Sequence, residues 1–470
     1  METVTNITEK SAAFVEQLCY EDIPEEALAI GRRCIVDTLG LYIAGTTEDV
    51  VTILVHEALD EGGVPAALLL ASGGRKVPVG KAARVLATAG HAHDWDDTQV
   101  SHDPAHVYGL LTHPTVPPLT AALTMSQALG IIDGKVLMTA FLAGFEVETK
   151  ISEWMSPDHY LRGHHSSGTV GTLGACISAA KLMRLTDEKL RHAIGIAASF
   201  AAGIRCNFGT MTKPLHVGRA TENGITAARL AARGITADPD ALDGRWGMPH
   251  VMSGGLSHTK AAQGFGAPMS IISPGVSIKP YPSGILTHPS MDAMLQLVVE
   301  NDIRPEEIER IDFYAGSNIL TPIRYPIAAN HLQAKFSMAA LLSMMALYRR
   351  AGRQEFLNAV VGGKAMQDMQ QRVITHLDPG IEAAGFDKIR SRIEITTRAG
   401  RRFVQQADER YRGGPAKPMT DGDIAEKFRS CTAGIIDVAN QDRMIELGGK
   451  LDQLDNISEL VELIDVQPDG

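Results

Sequence analysis

Long apolar, alanine-rich segments, broken by short polar or glycine-proline stretches, dominate the first part of the chain and read as helices. Residues 7–60 are of this kind. Pro24-Glu25-Glu26 places a proline and two acids in a first helical turn, and Gly45 follows the apolar run from Ile35 to Ile43 as a stop. Gly73-Gly74 and Pro78-Val79-Gly80 mark turns, after which 81–90 form a helix. Thr115 to Gly130, opened by Pro117-Pro118, and Gly134 to about Ser152 continue the series. Gly168 to Lys181 carries small residues (Gly171, Gly174, Ala175, Ser178, Ala179, Ala180), which let helix backbones approach closely and place it at the centre of a bundle. Ala193 to Ala202 is similar. Leu215 to Arg233, after Lys213-Pro214, is closed by Gly234.

From Val276 the pattern changes. Residues 275–284 alternate and then break at two prolines, like a strand entering a loop, and Ile308 to Tyr314 is a candidate strand. Arg392 to Thr397 and Arg402 to Gln406, joined across Gly400, predict a hairpin. Helices at Met291–Val299 and Phe336–Tyr348 fill the intervals, and Asp421 to Ile464 is helical again. The expected fold is mainly α: a large all-helical domain over 1–270, a smaller α+β domain over 271–410, and helices of 411–470 returning to the first.

Composition narrows this further. A chain of 470 residues exceeds one ordinary core, and 5% aromatic residues suit packed helices better than a β-sandwich. A net charge of −11 disfavours nucleic acid as a partner. The five cysteines are scattered with no Cys-x-x-Cys pair, which fits reduced thiols. The amino terminus lacks the basic and apolar regions of a signal peptide, and no apolar run is long enough for a bilayer. The expectation is a cytoplasmic enzyme without membrane contact.

Four clusters carry candidate chemistry. Residues 90–114 gather five histidines (His91, His93, His102, His106, His113) and four aspartates (Asp94, Asp96, Asp97, Asp103). Burying so many titratable groups is costly unless each has a partner or a use. Asp94, Thr98 and His113 are the candidates here, with His91, His102 and His106 supporting or exposed. No metal is expected, for want of a His-x-x-x-His face or cysteine support. Arg162 to Gly168 places His165 at a helix start, where free N–H groups suit an anion. Arg205, Asn207, Lys213, His216 and Arg219 form a third set, in which Lys213 neutralises a carboxylate or acts as a base. The fourth is Lys279-Pro280-Tyr281-Pro282-Ser283-Gly284, followed by His288, in a proline-fixed loop between domains. Dinucleotide, Walker and nucleophile-elbow motifs are absent from the sequence, so nucleotide use and serine-hydrolase chemistry have no support.

Together the clusters resemble the MmgE/PrpD family. The resemblance rests on His93-Asp94-Trp95-Asp96-Asp97-Thr98, His113-Pro114, His165 with Val170-Gly171-Thr172-Leu173-Gly174, and Thr212 to Gly218. It continues with Lys279-Pro280-Tyr281-Pro282 and Ala334-Lys335-Phe336-Ser337. It implies a helical domain with an α+β lid, a homodimer, and cofactor-independent chemistry on small di- or tricarboxylates in a cleft between the domains. By motif, Asp94, Thr98, His113, His165, Lys213 and Lys279 match positions lining the family's site. One loop departs: where the decarboxylase has a histidine and the methylcitrate dehydratases an acid, this chain has Ser283-Gly284-Ile285-Leu286. His288 either replaces the missing group or falls short of the cleft.

The expected mechanism is proton transfer at a carbon next to a carboxylate. Lys213, Lys279 and Arg205 hold carboxylates, Thr98, Tyr281 and His288 bind substrate, His113 and His165 act as base and acid, and Asp94 orients a histidine. Elimination of water, of the 2-methylcitrate dehydratase type, leads. Epimerisation of the iminodisuccinate type follows, then decarboxylation of the cis-aconitate type. A non-catalytic carboxylate-binding protein is the alternative from another class.

Overall fold

The computed structural model describes residues 6–103, 110–155 and 157–466. Two apolar cores organise them. One joins residues between Ile7 and Ile278 with residues between Met419 and Ile464; the other lies between Tyr281 and Tyr411, with Tyr160 and Phe208 added to it. Thus the last segment returns to the first core, although it follows the second in sequence.

The first core is built from helices α1 (Ile7–Gln17), α2 (Glu25–Gly45), α3 (Asp49–Glu61), α4 (Val79–Ala92) and α5 (Val116–Leu129). It continues with α6 (Gly134–Trp154), the short α7 (Asp158–Leu161), α8 (Ser166–Leu182), α9 (Asp187–Phe200) and α10 (Thr212–Ala232). Two small antiparallel pairs, β1 (Ala67–Leu68) with β2 (Lys76–Val77) and β3 (Gln99–Val100) with β4 (Leu110–Thr112), tie loops between them. Helix α8 is the small-residue helix, and all of it except Lys181 is buried against α5, α6, α9 and α10. A Cβ at Gly174 would strike the Glu148 side chain on α6, and one at Gly171 would come within 2.9 Å of Pro117 on α5. Helix α5 begins with prolines in its first turn, where no N–H is needed, and ends at Gly130 with φ 69°. Helix α10 starts three residues earlier than the periodicity suggests. Lys213 and Pro214 therefore lie inside its first turn, which accepts a proline for the same reason.

The second core packs α11 (His288–Glu300) and α12 (Met338–Tyr348) against a four-stranded sheet. Its strands are β5 (Ile308–Ala315), β6 (Val373–Leu377), β7 (Ser391–Thr397) and β8 (Arg402–Gln406), in the order β6-β5-β7-β8. The β7–β8 hairpin is the expected one, closed through Gly400 at φ 77°. Strand β6, parallel to β5, was not read from the sequence; it is a short edge strand without a buried face to give it a pattern. Nor is 275–284 a strand. Ser277 forms an isolated bridge to Thr98, by two backbone hydrogen bonds of 2.9 and 2.7 Å, and Ile278 N–H donates to Gly413 O at 3.0 Å, before Pro280 and Pro282 end the pairing. Helices α13 (Asp421–Thr432), α14 (Val438–Gly449) and α15 (Ser458–Ile464) pack back on α2. No single helix among the described residues is long and apolar enough to cross a membrane.

Candidate active site

A cavity lies where the two cores meet. The first part of the chain contributes Asp94, Thr98, Thr112, His113, His165, Ser167 and Lys213; the second contributes Ile285, Leu286, Pro322, Ile323 and Phe336. Tyr160 and Phe208 close the sides. The free space between these walls is narrow, about 30 Å³, room for a water or two.

The charged wall starts where α4 stops. His93 ends the helix and Asp94 takes a left-handed backbone conformation, φ 52°, with its N–H donating to His91 O at 3.0 Å. This conformation is uncommon for a residue other than glycine, and it takes the chain out of the helix. Asp94 Oδ1 lies 2.7 Å from Lys279 Nζ and 3.1 Å from Lys213 Nζ. Lys279 also donates to Asp94 O at 2.8 Å, and the Ser277–Thr98 bridge two residues upstream brings it there. Burial alone would raise Asp94, but Lys213 and Lys279 hold it well below the usual carboxylate range.

Behind Asp94 a second layer fixes the rings. Lys213 Nζ donates to His91 Nε2 at 2.9 Å, so His91 is neutral and donates from Nδ1 to Asp96 at 2.8 Å. Burial, partly opposed by Asp96, takes His91 down to about 3, in accord with that assignment. His113 Nδ1 lies 3.0 Å from Asp97 O and 3.3 Å from Asp96, which marks it as the protonated nitrogen. Its Nε2 is then an acceptor, 4.0 Å from Asp94. Burial is also the main cause of the lowered His113, His165 and Lys213. Asp97, raised to about 7 chiefly by burial, accepts from Thr115 Oγ1 at 2.5 Å at the start of α5, a structural duty.

Three buried polar atoms of the lining residues have no partner among the described residues: Asp94 Oδ2, Thr98 Oγ1 and His165 Nε2. Other buried atoms, such as Glu148 Oε2 and Ser343 Oγ, are unpartnered as well, but only these three belong to residues around this cavity, where a bound ligand would serve them. A metal fits poorly. The two groups of close donor atoms, His91–His113–His165 and His91–Asp94–Asp96, share His91, whose nitrogens already face Asp96 and an ammonium.

The sequence matches the description of the MmgE/PrpD N-terminal domain over residues 9–260 and of its C-terminal domain over 281–453. The chain belongs to the MmgE/PrpD family. Cis-aconitate decarboxylase of Homo sapiens is 26% identical over 473 residues, which cover 98% of this chain and 94% of that protein. The mouse protein of that name is 25% identical over 98% of this chain and 93% of its own length, and one from Aspergillus terreus 21% over 98% and 96%.

Within this MmgE/PrpD chain, five of the residues singled out from sequence, Asp94, Thr98, His113, His165 and Lys213, line one cavity, and Lys279 sits on Asp94 behind them. Three others do not line it. Arg205 lays its guanidinium 3.8 Å over the Tyr160 ring and donates to Tyr160 O at 2.6 Å, so it braces a wall instead of holding a carboxylate. His288 opens α11 under the loop, fully buried, with Nε2 on Ser283 O at 3.2 Å. Tyr281 turns outward to bond Asp292 at 2.6 Å and faces a separate cleft with Arg412. His93 is structural, bonded to Ala44 O at 3.0 Å. His102 is exposed, and His106 lies outside the described residues. His91 and Asp96 belonged to the motif without being singled out, whereas Ile323 and Phe208 gave no signal at all.

Proposed function

We propose that the protein is a lyase moving a proton at a carbon next to a carboxylate of a small di- or tricarboxylate. The observation that carries this is the convergence of Asp94 Oδ2, Thr98 Oγ1 and His165 Nε2 on a cavity with Lys213. Lys213 draws the carboxylate and takes up charge that spreads onto it in the transition state. Thr98 donates to a carboxylate oxygen. His165 Nε2 and His113 Nε2 are the proton carriers, with Asp96 and Asp97 holding the His113 ring in its tautomer.

Loss of carbon dioxide is supported by the names of the relatives and by the carbon-lined half of the cavity, which favours a spread charge over a localised one. Loss of water is the second reading; two neutral ring nitrogens at one cavity supply the base and the acid it needs. Purified protein is incubated in deuterated water with methylcitrate, cis-aconitate and iminodisuccinate, and followed by proton NMR and carbon dioxide release. Carbon dioxide with a deuterated product supports decarboxylation, and an alkene without it supports dehydration. Inversion with exchange and nothing lost would replace the lyase with an epimerase. Binding without turnover across a broad panel would leave a carboxylate-binding protein.

A further inference from the structure

A proton exchanged inside a buried cavity needs a path to water. His165 is 2% exposed, and its Nδ1 lies 3.1 Å from Nδ1 of His216. Two bare nitrogens do not bond, so one of them carries a hydrogen and the other receives it. The His216 ring is only half-buried and sits 5.3 Å, centroid to centroid, from that of His165. It lies three residues after Lys213 on α10, so one stretch of helix brings both groups to His165.

The backbone is shaped for this approach. Gly203, at φ 139°, holds a conformation suited to glycine, and a Cβ there would come within 3.4 Å of His216 Cγ and 3.5 Å of His165 Cβ. A Cβ at Gly168 would lie 3.3 Å from His216 Cβ. The charged or titratable groups acting on His165 are Lys213, His91, His113 and His216, and Lys213 also acts on His216. Burial first, and Lys213 second, takes His216 down to about 4, so both rings are neutral near pH 7.

We propose that His216 is the outer half of a two-histidine relay that carries protons between the cavity and solvent; this rests on the proton-transfer reading above. In one pass, a substrate proton bonds to His165 Nε2, the His165 Nδ1 proton passes to His216 Nδ1, and His216 Nε2 releases its proton to water. One N–H bond forms and one breaks at each ring, and no net charge stays behind. The pair is then in its opposite tautomer. In that state His165 Nε2–H donates to substrate, the His216 Nδ1 proton passes back to His165 Nδ1, and His216 Nε2 refills from water; a reaction that takes one proton and gives one, as loss of water does, runs the two passes in turn.

His216→Asn and His216→Ala test this. Asparagine places an amide nitrogen near the Nδ1 position and keeps a hydrogen bond to His165, yet cannot pass a proton through itself. Both variants are expected to lose kcat by on the order of 10²-fold with KM within about twofold, and added imidazole should restore the alanine variant in proportion to its concentration. A wild-type rate in His216→Asn, or an alanine variant indifferent to imidazole, overturns the relay. A measurement without substrate keeps the two readings apart: 15N NMR should show coupling between the Nδ1 atoms of His165 and His216 across their hydrogen bond. Its absence overturns the relay whatever the activity. Coupling without turnover of any carboxylate supports the hydrogen bond and counts against the lyase.

Discussion

The cavity has two unlike walls. On one, Asp94, Lys213 and Lys279 share contacts of 2.7 to 3.1 Å, backed by His91, His113 and Asp96. On the other, Ile285, Leu286, Ile323 and Phe336 present carbon. A buried ionic network costs desolvation that its own attractions only partly return. Facing it with carbon instead of water strengthens each charge acting on a substrate, because screening is lost. On the proposed reading the difference divides the labour: the first domain would supply the groups that move protons, and the second would set how dry the reacting carboxylate is.

The largest effects follow from breaking the charged wall. His165→Gln and Lys213→Met are each expected to lower kcat/KM on the order of 10³-fold, with circular dichroism unchanged. Activity near wild type in either removes that residue from the mechanism. Asp94→Asn should act on stability as well. It leaves Lys213 and Lys279 buried without their shared anion, a loss of about 3–5 kcal/mol readable in urea unfolding. An unchanged midpoint would show that the lysines find water or another partner.

The charged wall was the legible one. Asp94 and His113 stand in a stretch whose crowding of titratable groups drew attention by itself, whereas Thr98, His165, Lys213 and Lys279 were singled out with them because their short motifs resemble the family's. Direction was not legible. Arg205, Tyr281 and His288 carry equally suitable groups, but where a loop side chain points depends on partners distant in sequence or hidden by the fold: the Tyr160 ring, Asp292 and the Ser283 carbonyl. The carbon wall left no trace, since a lining Ile323 looks like any core isoleucine. At the fold level the long helices were clear from their spacing and end signals, including α8, whose small residues matter because neighbouring helices leave no room for more. Strand β6 was missed because its alternation meets no buried face. The start of α10 was missed because a proline in a first turn looks like a break.

The pH profile tests the charged wall more gently. His165 acts as the neutral ring, and burial with the Lys213 charge holds its proton affinity well below the usual 6.5. The acid limb of kcat/KM should therefore fall below pH 6.5. Lys213 acts as the cation, and burial lowers it from 10.5, so the basic limb should fall below that value. In Lys213→Met the removed charge lets His165 rise, which an NMR titration of its ring would register as an upward shift. A His165 titrating at 6.5 in the wild type would mean that the cavity is wetter than its lining suggests.

The smallest effect isolates the carbon wall. Ile323→Val and Ile323→Thr have nearly the same shape and differ in one hydroxyl. The valine variant loses one methyl group, expected to cost about 0.5–1.5 kcal/mol of stability, with kcat within about threefold of wild type. The threonine variant puts a hydrogen-bonding group opposite Asp94 and Lys213 and admits water to the dry side. Its kcat is expected to fall about tenfold below that of valine, roughly 1.4 kcal/mol of transition-state stabilisation. Because cavity size is matched, the ratio of the two rates reads polarity alone. Equal rates would mean that the second domain shapes the cavity without drying it, and the charged wall would then have to supply the whole rate by itself.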